Sequence, residues 1–198
     1  SGGFLTAVVR KLGHRGRESA GFVERNRNSL LLLPEPPGIS KMRAIVTGQI
    51  GVDKKPYLND TMRLAGERGE AIDTFHVGDM MYAEAADVST GRILDLPISR
   101  LNSLRRAAFK DIIAATRPVE EHRNVMVNTH ATFRWHHGLF SAFDFDQIRA
   151  LAPDLFICLV DNVEVVHQRL HRDHIVDATL KDCMVWREEE ILATELMA

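Results

Sequence analysis

Residues 42–55 read MRAIVTGQIGVDKK, and this stretch sets the fold. Met42–Thr47 is a short run of apolar and β-branched residues closed by a glycine, as in a buried strand. Gly48 and Gly51 open a turn, and residues 57–68 then carry Leu58, Met62 and Leu64 on one side of an amphipathic helix. A strand, a glycine-rich turn and a helix together form a cradle for phosphate. The glycines let backbone N–H groups converge on an anion, and the helix N-terminus adds a favourable field. A lysine at the end of the turn, here Lys54, reaches terminal phosphates.

The same alternation continues downstream. Asp73–Val77 reads as a second strand, and Leu101–Ala115 has apolar residues at 101, 104, 108, 109, 112 and 113, which is helical spacing. Asn124–Val127 and Asp154–Val160 read as strands, and Phe145–Leu151, Val163–Arg172 and Ala178–Met197 as helices. The strands are short and apolar without polar alternation, so they predict an α/β fold: a parallel sheet with helices on both faces. Upstream, Phe4–Leu12 reads as a short helix and Ser29–Leu33 as a strand. The sequence PEPPG at 34–38 stops any regular element and divides an N-terminal arm, residues 1–41, from a domain spanning 42–198.

Composition narrows the function classes. With 198 residues, 45% hydrophobic and 26% charged, the chain can bury a core without metal or disulfide staples. A net charge of −2 argues against a dedicated nucleic-acid binder. No apolar stretch approaches membrane-spanning length, and the N-terminus lacks a signal-peptide core. Two cysteines, Cys158 and Cys183, imply no disulfide framework, so a reducing, cytoplasmic location is expected. Neither His136-His137 nor the group His167, His171 and His174 sits in a zinc-type pattern, so no metal ligation by these residues is expected.

Against the phosphate-loop consensus G-x-x-x-x-G-K-[ST], Gly48 and Lys54 fall at the required spacing. Asp53 stands at the second glycine and Lys55 at the hydroxyl position. Residues 124–142, NVMVNTHATFRWHHGLFSA, and 148–173, IRALAPDLFICLVDNVEVVHQRLHRD, resemble the archaeal type of adenylate kinase. That family carries a strand ending in Asp-Thr-His-Ala, then an arginine, and later a proline–strand–acidic–helix–arginine unit, as in Pro153 through Arg169 here. Gly78–Ala85 (GDMMYAEA) also resembles the family's segment after its second strand.

The resemblance implies a three-layer P-loop NTPase fold over about residues 42–198, with an N-terminal arm. It implies ATP and Mg²⁺ as cofactors and phosphoryl transfer to a nucleoside monophosphate. It places the triphosphate on Gly48, Gln49, Ile50, Gly51, Val52, Asp53, Lys54 and Lys55. It also implies Arg134 at the monophosphate's phosphate, and Arg169 and Arg172 at the lid hinge. In such kinases the protein aligns the phosphates and neutralises charge.

The departures are specific. Asn128 replaces the aspartate that holds Mg²⁺ through water, the lid reads His174-Ile175-Val176-Asp177, and Leu94 replaces a nucleotide-site arginine, with Arg92 two places away. The family's final strand and helix would follow Ala198, so the open sheet edge is expected to be filled by the arm or by a second copy. These departures keep a second reading in play, a nucleotide-binding regulatory module without turnover.

Residues 13–22, GHRGRESAGF, resemble the His-Arg-Gly-x-Glu-Ser-Ala-Gly signature of class II glutamine amidotransferases. The resemblance covers about 30 residues and would give Arg15 a glutamine carboxylate. It supplies a third reading, a piece of an amidotransferase-linked assembly. His130, just past a strand end, reads equally as a site residue or a structural hydrogen-bonder. Arg105, Arg106 and Lys110 read as a solvated helix face, Glu188–Glu190 as surface, and Trp135 as either a base-stacking or a packed ring.

Overall fold

The computed structural model describes residues 6–11, 20–23, 42–116, 123–135, 138–173 and 177–198. Its main sheet has six strands. In chain order these are β1 (Thr6–Lys11), β2 (Ala20–Val23), β3 (Arg43–Thr47), β4 (Ile72–His76), β5 (Asn124–Asn128) and, after a small hairpin, β8 (Leu155–Val160). The hairpin pairs β6 (Thr132–Trp135) with β7 (Gly138–Ser141). Helices α1 (Lys55–Glu67), α2 (Val77–Glu84), α3 (Ile98–Thr116), α4 (Phe145–Leu151), α5 (Val163–Arg172) and α6 (Leu180–Met197) alternate with them.

The spatial order is β2-β1-β8-β3-β5-β4. The four strands from β8 to β4 are parallel, whereas β1 lies antiparallel on β8 and β2 antiparallel on β1. The parallel strands are apolar on both sides because both sides are covered. Ile45, Val125, Val127 and Phe156 pack with residues of α2, α3 and α4. Their alternates Val46, Met126, Ile157 and Leu159 pack with residues of α1, α5 and α6. Period-two alternation thus sorts one apolar run into two cores.

The connection out of β3 runs over the second face, through α1, and the connection out of the adjacent β5 runs over the first, through α4. Neighbouring parallel strands whose connections leave on opposite faces open a crevice at their carboxyl ends, the usual ligand position in such sheets. Helix starts are defined by side chains. Asp144 caps α4, Asn162 caps α5, and Thr179 with Asp182 forms a capping box on α6.

One expectation is corrected. Thr6–Lys11, predicted as part of a helix over Phe4–Leu12, is a strand that pairs with β8 along its whole length. Thr6, Val8 and Val9 are β-branched, and the β8 edge offers an unpaired ladder, so tertiary pairing overrides the short helical pattern. The strand expected at Ser29–Leu33, the PEPPG turn and most of residues 13–22 lie outside the described residues.

Phe156, the second residue of β8, is 1% exposed and packs between the strands and α4. Phe156→Ala is expected to cost about 3–5 kcal/mol of unfolding free energy. Met184→Ala, on an exposed helix face, should stay within about 0.5 kcal/mol. Urea denaturation of the two variants checks both values.

Candidate functional site

The loop after β3 is shaped by two glycines. Gly48 has φ +147°, and a Cβ there would lie 2.6 Å from the Leu159 carbonyl oxygen. Gly51 has φ +93°, with Val166 and Leu170 side chains 3.0–3.2 Å from a built Cβ. Both positions therefore need glycine for backbone conformation and for space. The turn closes through Val52 N–H donating to Gln49 O at 3.1 Å, and Gln49 Nε2 donates to Cys183 O at 3.3 Å. Val52 is buried, Ile50 half-buried, and Asp53 and Lys55 are exposed.

Lys54 is buried at the mouth of this loop. Its ammonium donates to the carbonyls of Thr129 and Gly48 and lies 3.4 Å from His130 Nδ1. Among the described residues no carboxylate forms an ion pair with it. Burial lowers its pKa to about 8, while the Glu190 and Cys158 groups nearby pull the other way. His130 is held well below its ordinary value, first by burial and then by the charges of Lys54 and Arg105, so the ring is neutral. Its Nδ1 contacts the Gly48 carbonyl, which only an N–H can satisfy, leaving Nε2 as the acceptor.

Glu190 joins the loop to the end of β5. One carboxylate oxygen accepts from Gly48 N–H at 2.9 Å and Ala131 N–H at 2.8 Å. The other accepts from Thr132 N–H at 2.8 Å and Thr132 Oγ1 at 2.5 Å, and Trp186 Nε1 donates to that hydroxyl at 3.0 Å. At 1% exposure, Glu190 overturns the surface reading. Its signal is spacing: Cys183, Trp186, Glu190 and Thr194 are the buried residues of α6 and make one helical stripe. Arg105 is corrected in the same way. It lies in the stripe Leu101, Arg105, Ala108, Ile112 and is 9% exposed, whereas Arg106 faces solvent and pairs with Asp144.

The remaining arginines are spread around this centre. Arg169 donates to Gly51 O at 3.0 Å and pairs with Asp161 at 2.7 Å, so it touches the loop directly. Arg134 pairs with Asp182 on α6 at 3.0 Å. Arg172 is mostly exposed and turned onto its neighbour Asp173. Asn128 donates through Nδ2 to His76 Nδ1 at 3.0 Å, and its Oδ1 is buried without a hydrogen-bond partner. His136, His137 and His174 lie outside the described residues. His167 and His171 face each other, Nε2 to Nε2 at 3.1 Å, on the exposed side of α5. Among the described residues no three His, Cys, Asp or Glu side chains group as metal ligands, and no helix is long and apolar enough to cross a membrane.

The arrangement is a backbone cradle holding a buried cation at the crevice between β3 and β5, which suits a polyphosphate. A family model described as an AAA domain matches residues 48–182, from the first loop glycine to Asp182. An adenylate kinase from Pyrococcus furiosus is 30% identical over 133 residues, covering 64% of this chain and 63% of that protein. The chain thus spans less than two thirds of that relative's length. The family match does not reach residues 13–22, and the amidotransferase resemblance of that segment finds no support in either comparison.

Two outcomes are expected. Lys54 has a pKa of about 8 folded against an ordinary 10.5, so between these values the native state binds fewer protons than the unfolded one. Stability therefore rises with pH through that window, by the order of 3 kcal/mol, and the rise is absent in Lys54→Met. Denaturant titrations from about pH 7.5 to 10.5 check the difference. Glu190→Ala strands three buried backbone donors and is expected to cost about 3–5 kcal/mol by urea denaturation.

Proposed function

The chain belongs to the AAA-domain family, with its P-loop kinase-like fold, and on that premise we propose that it transfers the terminal phosphoryl group of ATP to a nucleoside monophosphate, as an adenylate kinase does. Lys54 carries this reading. A buried ammonium held by two carbonyls, with no carboxylate paired to it among the described residues, is stabilised by an arriving anion. The loop that presents it ends at the N-terminus of α1, which favours negative charge.

The chemistry asks little covalent work of the protein. Lys54 bridges the transferring phosphate and offsets the charge that develops on it. Arg169, touching Gly51 O, reaches the donor's phosphates from the α5 face. The neutral His130 holds the Gly48 carbonyl, so that carbonyl is occupied rather than facing the phosphate. A magnesium ion arriving with the nucleotide would supply charge neutralisation at the phosphates. The residues present fit a hydrated ion brought in by the nucleotide. Asn128 Oδ1 is a buried acceptor in need of a donor, such as a metal-bound water. Lys55 supplies no hydroxyl for direct ligation.

The second reading, nucleotide binding without turnover, is favoured by the two arginines already engaged by Asp182 and Asp173. A coupled assay for ADP formed from ATP plus each nucleoside monophosphate separates the two. Turnover requiring both nucleotides, and reduced at least about 10²-fold in Lys54→Ala, is the expected result. A melting temperature raised by ATP in the wild type only, without turnover, overturns the kinase reading in favour of the second.

A further inference from the structure

We infer that Arg105, its guanidinium seated on the Phe133 ring and fastened by Asn102, is the anchor for the acceptor's phosphomonoester group, the role the family resemblance gave to Arg134. The inference rests on the kinase reading for the identity of the acceptor. The anion site itself rests on the geometry.

Arg105 lies in the middle of α3 and is 9% exposed. Its Cζ stands 4.7 Å from the centroid of Phe133, and its Nη1 donates to Asn102 Oδ1 at 3.1 Å. Among the described residues it pairs with no carboxylate, whereas Arg134 and Arg169 each hold an aspartate. Burying a guanidinium without a counter-ion is costly. A ring face recovers only a small part of that cost. A fold that pays this cost at the carboxyl ends of its strands gains it back when an anion binds.

The place is fixed. Phe133 directly follows Thr132, whose N–H and hydroxyl are held by Glu190, so its ring is tied to the end of β5. Arg105 is close enough to act electrostatically on His130, which itself touches the Gly48 carbonyl and Lys54. Lys54, His130 and Arg105 therefore share one neighbourhood. Arg105 approaches it from the face covered by α2, α3 and α4, and Arg169 from the face covered by α1, α5 and α6. In-line phosphoryl transfer needs the acceptor oxygen and the leaving oxygen on opposite sides of the transferring phosphorus, so donor and acceptor enter from different sides. Arg169 touches the loop and marks the donor side, and Arg105 lies on the other.

Titration calorimetry on the whole chain tests this with AMP and ATP as separate probes, in the wild type, Arg105→Met, Arg105→Lys and Arg134→Met. Arg105→Met should weaken AMP by about 10–100-fold and leave ATP within about threefold. Arg105→Lys, which keeps the charge but loses the fork, should fall between. Arg134→Met should leave AMP within about threefold of wild type. The ligand-free Arg105→Met protein should melt no lower than wild type, because an unpaired buried charge is gone. Removing a merely structural arginine would not leave apo stability intact and weaken AMP binding together.

Unchanged AMP affinity in a folded Arg105→Met protein overturns the inference, as does a loss that appears in Arg134→Met instead. Wild type that binds neither AMP nor inorganic phosphate overturns it too. Should Arg105→Met fail to fold, a raised KM for AMP in Arg105→Lys supports the anchor and an unchanged one overturns it. The kinase reading fails separately: AMP bound through Arg105 without phosphoryl transfer refutes turnover and leaves the anchor standing. Full turnover with an unchanged KM for AMP in Arg105→Met does the reverse.

Discussion

One carboxylate holds the functional end of this molecule together. Glu190 reaches from α6 and accepts from Gly48 on the phosphate loop and from Ala131 and Thr132 beyond β5. Gly48 and Ala131 lie past the ends of their strands and Thr132 opens β6, so the main sheet's ladder satisfies none of the three N–H groups. A buried ion is costly alone, but here both oxygens are engaged by charge-assisted bonds, including the Thr132 hydroxyl. The spacing between loop and strand end is therefore set by a rigid side chain. The angle of α6 is set by the same contact, with Trp186 bonded to Thr132 one turn away.

The charge balance around that carboxylate explains why the site suits an anion. Lys54 and Arg105 are buried cations, and Glu190 is the one buried acid near Lys54 in the described structure. Glu190 spends its oxygens on backbone donors and on Thr132, so it reduces the local field without capping either cation. The neutral state of His130 follows first from its burial and then from the same excess, since a third positive charge beside two others is disfavoured. Fixed dipoles and cations in a water-poor crevice act on developing charge with little reorganisation, which is how such sites accelerate phosphoryl transfer.

The sheet and its order of elements were legible from residues 42–55 outward, because short apolar runs and helical spacing are local signals. The strand at Thr6–Lys11 was not, because its partner is β8, some 150 residues away in the chain. The hairpin from Thr132 to Ser141 was also missed as an element: its strands TFRW and GLFS are four residues each, too short for their period to stand out, and a two-stranded unit is held by packing on its neighbours. At the site, Gly48, Lys54 and the arginines stood out by motif. Glu190 and Arg105 did not, because charged residues within helices read as surface. Only their position on an otherwise buried stripe separates them from Glu188 and Arg106, and a polar residue on such a stripe is the signal to weigh.

The same structural facts explain how the loop tolerates its departures from consensus. The positive-φ positions of the loop are Gly48 and Gly51, not position 53, where the consensus has its second glycine. Close packing at those two points, against the Leu159 carbonyl and the side chains of Val166 and Leu170, fixes the turn from outside the motif. Asp53 is exposed and needs no left-handed conformation, so it neither strains the backbone nor enters the buried cluster. Lys54 then starts α1 from a helical conformation, followed by Lys55 and Pro56 in the first turn, where a missing N–H leaves no bond unmade. The cradle is thus enforced by the helices and strand that surround it. What the motif loses at position 55 is metal ligation, a chemical loss rather than a structural one. That separates the two functional readings more sharply than any change in loop shape could.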